Sequence, residues 1–310
     1  MRRNLVTGGS GFIGSNLIEY LINNGEKVIC LDNFSSSNGR NLKKWSNNDK
    51  FSLINQDVVK PISIEIDRIW HLASPASPIK YIQDPITTSK VNFIGTDNML
   101  KLATKNGARI MLASTSEIYG DPKVQPQSES YFGNVNNLNE RSCYVEGKRI
   151  AESLCFDYKR TFGTDIRIIR IFNTYGPGME VKDGRVISNF INQALNNEPL
   201  TIYGSGDQTR SFCYIDDLIK GMISLMDNSC EEPLNIGNEE ELSIKNLAAL
   251  IRNKINKELD IIFLEKRKDD PFRRRPQITL AKDILGWEPL IPLEVGLEET
   301  IKYFSSIDLK

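Results

Sequence analysis

The chain has 310 residues, 40% of them hydrophobic and 25% charged, with a formal net charge of -1; this ordinary globular composition excludes the basic field that nucleic acid or an anionic membrane would need. A single histidine, His71, and five scattered cysteines argue against histidine triads, paired-histidine zinc sites and a disulfide framework, so no metal is expected and acid–base work falls to carboxylate, tyrosine or lysine. No signal peptide is expected before the first strand pattern and no apolar run reaches the length of a membrane span, which makes the reducing cytoplasm the expected location.

Residues 4–7 form a short apolar run that ends in glycines, and residues 15–23 carry Leu17, Ile18, Leu21 and Ile22 at helical spacing. Gly25 closes that helix and residues 27–31 read as the next strand. Further strands are expected at 51–54, 68–72, 109–114 and 166–172, with helices at 92–106 and 144–162 between them. His71 falls at a strand end, where a packed, hydrogen-bonded ring is expected rather than a catalytic one. Strand and helix in alternation predict an α/β fold, a parallel sheet with helices on both faces. After Phe172 the texture changes. Residues 173–178 are turn-rich, 187–196 look helical, 200–203 and 211–215 look like strands, and Ser243 is a candidate N-cap for a helix over 243–257. The charged run 266–275 reads as a loop. Residues 1–172 are therefore expected to bind a dinucleotide. Residues 173–310 are expected to form mainly a smaller substrate-binding lobe, with parts returning to pack on the first unit.

The first strand and helix are joined by Thr7-Gly8-Gly9-Ser10-Gly11-Phe12-Ile13-Gly14. Glycines at this spacing, after a strand and before a helix, are the context of a dinucleotide loop: a Cβ would block the pyrophosphate that the helix N-terminus faces. Asp32 ends the second strand, where an acid can bond the adenosine ribose hydroxyls, and the next residue, Asn33, is not a base. That favours NAD in a Rossmann-type, doubly wound sheet, although Arg40 further along keeps the phosphorylated cofactor open. Asp57 and Val58, after another strand, are placed to reach the adenine.

Tyr144 and Lys148 stand four apart, on one helix face. A nearby ammonium favours a phenolate, so Lys148 is expected to draw the phenol of Tyr144 down from about 10 toward neutrality. That would make Tyr144 a base for an alcohol that loses hydride from the same carbon.

The glycine loop combined with Tyr144-x-x-x-Lys148 resembles the extended short-chain dehydrogenase/reductase family. Residues 113–120 match the segment that completes the triad there, with Thr115 in the triad position. Ser116-Glu117 beside it is similar to the UDP-glucuronate decarboxylases, whose dehydratase cousins carry an acid where Ser116 stands. The resemblance to these decarboxylases covers almost the whole chain, including residues 71–78, 114–122, 144–152, 170–177, 183–190, 208–212 and 285–289. It implies tightly bound NAD against Gly8, Gly11, Phe12, Ile13, Gly14, Asp32, Asn33, Phe34, Ser35, Asp57, Val58, Leu72, Ser74, Tyr144 and Lys148, with Lys90 and Thr174 on the nicotinamide side. It implies a substrate, UDP-glucuronate, held by Asn173, Arg185, Asn189, Tyr203, Arg210 and Arg274. The catalytic set would be Thr115, Ser116, Glu117, Tyr144, Lys148 and Arg274. The implied reaction oxidises C4, loses carbon dioxide from the resulting β-keto acid, and returns hydride to give UDP-xylose. A nucleotide-sugar 4-epimerase, a decarboxylase that releases the 4-keto pentose, and a non-catalytic NAD-sensing module remain the alternatives. A homodimer is expected, because the helices at 92–106 and 144–162 resemble those of a four-helix interface in the family.

Overall fold

The computed structural model describes residues 1–266 and 272–307. The first half alternates as expected: β1 (Arg3–Thr7), α1 (Phe12–Asn23), β2 (Lys27–Asp32), β3 (Phe51–Asn55), β4 (Arg68–His71), α2 (Pro78–Gln83), α3 (Pro85–Lys90), α4 (Thr96–Asn106), β5 (Arg109–Thr115), α5 (Ser142–Phe162) and β6 (Ile166–Ile171). A wide turn of π-helix, Val91–Gly95, joins α3 to α4, so the helix expected at 92–106 is the second half of a longer rod. The second half holds β7 (Thr174–Tyr175), α6 (Val186–Leu195), β8 (Leu200–Tyr203), β9 (Thr209–Ser211), β10 (Cys213–Tyr214), α7 (Ile215–Asp227), β11 (Leu234–Ile236), β12 (Glu241–Ser243), α8 (Ile244–Ile255), β13 (Ile261–Leu264), β14 (Arg273–Arg274), α9 (Thr279–Leu285) and α10 (Leu293–Ser306). Of the loop expected over 266–275, residues 267–271 lie outside the described residues, and Arg273–Arg274 are not loop but strand, held by pairing with β9.

Seven parallel strands form the main sheet in the order β11-β6-β5-β4-β1-β2-β3. Successive side chains leave a strand on opposite faces, and both faces here are buried. Leu5, Ile69, Ile110, Leu112 and Ile168 pack with Met99, Leu100 and Ala103 of α4 and Ala151 and Cys155 of α5. Val6, Trp70, Met111, Ala113 and Ile169 pack on the other face, with Leu17, Ile18 and Leu21 of α1 and Leu218, Met222 and Leu225 of α7. Continuous β-branched and aliphatic runs in the strands follow from this two-sided burial.

Among the elements that differ from the sequence reading, two bear on the core. The strand expected at 211–215 is split between β9 and β10, and Ile215 instead opens α7, whose apolar stripe runs through Leu218, Ile219, Met222, Leu225 and Met226. β11, only three residues long, pairs with β6 and completes the core sheet from the second half of the chain. The expected cap is present: Ser243 accepts a hydrogen bond from the Asn246 N–H at the start of α8. A small sheet of order β12-β9-β14 stands beside the core and sets Arg274 opposite Arg210.

Candidate active site

A cavity of about 510 Å³ opens at the carboxyl ends of the core strands, where the strand order reverses between β1 and β4. Open α/β sheets bind their ligands in this crevice. The loop between β1 and α1 forms its floor. Gly8 has φ +70, and a Cβ there would lie 2.9 Å from the Ala73 backbone. A Cβ on Gly14 would lie 2.3 Å from the Gly8 carbonyl oxygen. Only glycine lets the turn close this tightly. The first turn of α1 has no side-chain cap and no acid, so its N–H groups face the cavity uncompensated.

Asp32 sits beside this loop at the end of β2. Its carboxylate accepts from the Ser10 N–H at 2.9 Å and the Phe34 N–H at 2.8 Å. Asn33 donates to Asp57 at 2.9 Å, and Asp57 also accepts from the Val59 N–H at 3.0 Å, which orders the outer wall. Arg40, the base that left a 2′-phosphate open, does not line the cavity and donates instead to the Tyr303 hydroxyl at 3.3 Å. The pocket around Asp32 thus presents an acid and amides. These groups, with the bare helix terminus and the glycine cradle, fit the unphosphorylated dinucleotide.

Thr115 ends β5, and Tyr144 and Lys148 face it from the first turns of α5; all three are buried. Tyr144 hydrogen-bonds Thr115, and the Lys148 ammonium donates to the Ala113 carbonyl at 2.8 Å. In the cofactor-free protein Tyr144 does not show the lowering expected from Lys148. Burial pushes the phenol up to about 12, with the charge of Glu117 adding to the rise, and Thr115, Arg185 and Arg141 oppose it. The Lys148 Nζ lies 6.0 Å from the Tyr144 ring centroid and is committed to the backbone. Burial also brings Lys148 itself down to about 8. His71 is buried with one ring nitrogen on Thr7 and the other on Thr96, and burial lowers it to about 3: a packed histidine, as expected.

Glu117 follows the triad threonine on a short 3₁₀ turn, Ser116–Tyr119. Its carboxylate pairs with Arg141 at 2.8 Å, lies 3.9 Å from Arg274, and accepts from the Tyr81 hydroxyl at 3.4 Å. Tyr81 in turn stacks on Tyr144, centroids 5.0 Å apart and planes 2° off parallel. Sequence reading missed Tyr81 and Arg141. Arg141 precedes Tyr144 by three positions, a spacing that could have flagged it; Tyr81 lies just past the quoted 71–78 segment and carried no signal of its own.

Every other residue of the expected sets lines this cavity except four. Lys90 is exposed, because Thr87 and Val91 occupy the inward face of that rod and Lys90 is turned about 100° away from Val91. Asn189 donates to the Gly184 carbonyl at 3.1 Å and braces the start of α6. Tyr203 is on β8, paired with β13, away from the lining. Arg210 is buried on β9 and donates to the Thr209 carbonyl at 2.7 Å, next to Arg274 in register but behind the wall. Among the described residues no cluster of His, Cys, Asp or Glu is arranged to hold a metal, and no helix is long and apolar enough to cross a membrane.

The dinucleotide cradle and the threonine–tyrosine–lysine set define an NAD-dependent enzyme of the short-chain dehydrogenase/reductase type. The chain belongs to the NAD dependent epimerase/dehydratase family, whose profile matches residues 4–237. It is 53% identical over 303 residues to UDP-glucuronic acid decarboxylase 1 of Xenopus tropicalis, covering 98% of this chain and 72% of the relative. It is 53% identical to UDP-glucuronic acid decarboxylase 3 of Arabidopsis thaliana, covering 95% of this chain and 86% of the relative. Among solved structures, a UDP-glucuronic acid 4-epimerase from Bacillus cereus, in complex with UDP-glucuronic acid and NAD, superposes with TM-score 0.88 at 28% identity, covering 98% of this chain and 99% of the other. A Thermotoga maritima UDP-glucose 4-epimerase superposes with TM-score 0.89 at 29% identity, each chain covered to 98%.

Proposed function

We infer that this protein is a UDP-glucuronate decarboxylase that makes UDP-xylose. The observation that carries the reading is Glu117 held by Arg141 and beside Arg274, in the same cavity as Thr115, Tyr144 and Lys148. A redox triad alone serves any member of the family. An acid and a guanidinium next to it suit a sugar that carries a carboxylate on C5.

Residues 1–172 hold the cofactor in this reading, and 173–310 mainly the nucleotide sugar. Bound NAD supplies a hydride acceptor for C4 and later the donor. Tyr144 takes the proton of the 4-hydroxyl as its phenolate, a form that burial disfavours in the cofactor-free protein and that the positive nicotinamide of bound NAD would favour, and Thr115 orients that hydroxyl. Lys148 keeps a positive charge behind the phenol. The ketone at C4 makes the C6 carboxylate part of a β-keto acid. Carbon dioxide then leaves C5, and the bonding pair becomes an enolate at C4, whose oxygen Tyr144 can reprotonate. Arg274 orients the carboxylate before it departs, and Glu117, with Ser116, manages the proton delivered to C5. Asn173, Thr174 and Arg185 line the remaining path for the sugar and nicotinamide.

Two coarser features complete the proposal. Ile86, Phe93 and Ile150 are exposed on α3, the π turn and α5, which supports a homodimer formed through these helices. All five thiols are unpaired, which supports a reducing compartment such as the cytoplasm. A proton NMR time course with UDP-glucuronate and catalytic NAD tests the function. UDP-xylose is the expected product. A 4-keto pentose with stoichiometric NADH would remove the final reduction, and UDP-galacturonate would replace the decarboxylase by an epimerase.

A further inference from the structure

Arg274 does not stand on the core sheet, yet its guanidinium reaches Glu117. Its backbone is held from two sides. On one side β14 pairs with β9. On the other, residues 125–127 run alongside 273–277, and Gln127 supplies most of the bonds. Gln127 is 0% exposed. Its N–H donates to the Arg275 carbonyl at 2.9 Å, and its carbonyl accepts from the Gln277 N–H at 2.7 Å. Its side-chain oxygen accepts from the Arg275 N–H at 3.0 Å, and its amide nitrogen donates to Val124 and to the Gln125 side chain. Gln125 donates in turn to the Arg273 carbonyl at 3.1 Å. The residues on both flanks of Arg274 are therefore fixed by this one segment.

The segment is itself tied to the core. Asn235 of β11 donates to the carbonyls of Gln127 at 3.0 Å and Gln277 at 3.2 Å. Its side-chain oxygen accepts from the Tyr119 hydroxyl at 2.8 Å, and that hydroxyl accepts from Arg170 of β6 at 3.0 Å. A chain of buried and partly buried hydrogen bonds thus runs from the core sheet to the backbone of Arg275 and Gln277, just past Arg274. A buried amide with both ends bonded fixes a geometry as well as a fold, because an unmade bond there leaves a desolvated N–H behind.

We propose that Gln127 is a positioning residue for the reaction: through Arg275 and Gln277 it sets the Arg274 guanidinium at the carboxylate end of the substrate. The proposal rests on the assignment of Arg274 to that end. Gln127→Met keeps the side-chain length and removes the acceptor for the Arg275 N–H. Displacing a positioned group by about 1 Å can cost about 100-fold, so a loss of about tenfold or more in kcat/KM for UDP-glucuronate is expected. The NAD-loaded enzyme is assayed as wild type, Gln127→Met, Arg274→Ala and the double variant, together with inhibition by UDP, which has no sugar carboxylate. The expected result is an unchanged inhibition constant for UDP and no further loss on adding Gln127→Met to Arg274→Ala, the mark of two residues acting through one contact. Equal loss in both backgrounds, or UDP binding weakened in step, would overturn the proposal and make Gln127 a general structural residue. If Gln127→Met does not fold, Gln125→Ala removes the bond to Arg273 and one of the two acceptors of the Gln127 amide, leaves the Gln127–Arg275 bonds in place, and runs through the same cycle, with a smaller loss expected and the same outcome deciding. Full turnover by Arg274→Ala alone would instead refute the role of Arg274.

Discussion

Lys148 costs the cofactor-free protein stability, and removing its charge should reveal how much. Burial brings the ammonium down from 10.5 to about 8, and the opposing pull of Cys155 and Glu152 does not cancel it. Between those pH values the unfolded chain holds a proton that the folded chain has released, so stability rises with pH across this window and is lowest below 8. The fall corresponds to about 3 kcal/mol. Lys148→Met keeps an unbranched stem and deletes the charge, at the expense of the bond to the Ala113 carbonyl, worth about 1 kcal/mol. A net gain of about 2 kcal/mol at pH 7 follows, together with loss of activity. Urea unfolding of NAD-stripped protein at pH 7, 8.5 and 10 measures it, and the advantage of the variant should shrink as the pH rises and the wild-type lysine discharges. A variant less stable than wild type at pH 7, or an advantage that ignores pH, would refute the claim that a buried charge is being carried.

Three other outcomes are expected. Glu117→Gln removes the charge between Arg141 and Arg274; rapid-quench assays should show carbon dioxide release slowed about 100-fold or more with NAD binding retained, and unchanged release would remove Glu117 from the chemistry. Asp32→Ala should weaken NAD about tenfold or more while barely changing NADP, as fluorescence titration can read; equal losses for both would place the ribose elsewhere. Sedimentation should give twice the 35.1 kDa chain mass, and Phe93→Glu with Ile150→Glu should give a monomer that stays folded; an unchanged dimer would move the interface to another face.

The parts of this site that could be read from sequence are those built from neighbours in the chain. The glycine loop, Asp32 at a strand end, and Tyr144 with Lys148 one helical turn apart are each fixed by local geometry, and the structure sets them around one cavity. The unread parts depend on distant pairing. Gln127 meets Arg275 across 148 positions, and β11 is a three-residue strand too short to show a period. Lys90 was expected inward from the family resemblance; the phase of the α3 rod turns it outward. The Tyr144 shift failed for a different reason. Spacing brings a cation near a phenol, but it says nothing of how deeply the phenol is buried or that Glu117 faces it, and those two terms dominate.

The same fold at TM-score 0.88 serves a UDP-glucuronic acid 4-epimerase, so the fate of a C4 ketone has to be decided by side chains around the ring and not by the sheet beneath it. An epimerase must let the keto sugar turn so that hydride returns to its other face, with the carboxylate still attached. On the proposed reading, the cluster here opposes turning. Tyr81 is stacked on Tyr144 and bonded to Glu117, Glu117 is paired with Arg141, and Gln127 clamps the backbone of Arg275, the residue next to Arg274. A carboxylate oriented by a clamped arginine keeps its C5 bond in one alignment with the C4 carbonyl. Cleavage needs that bond to lie across the plane of the carbonyl so that its electrons can enter the enolate. Holding the ring still therefore favours loss of carbon dioxide over rotation, and it also returns hydride to the face from which it left.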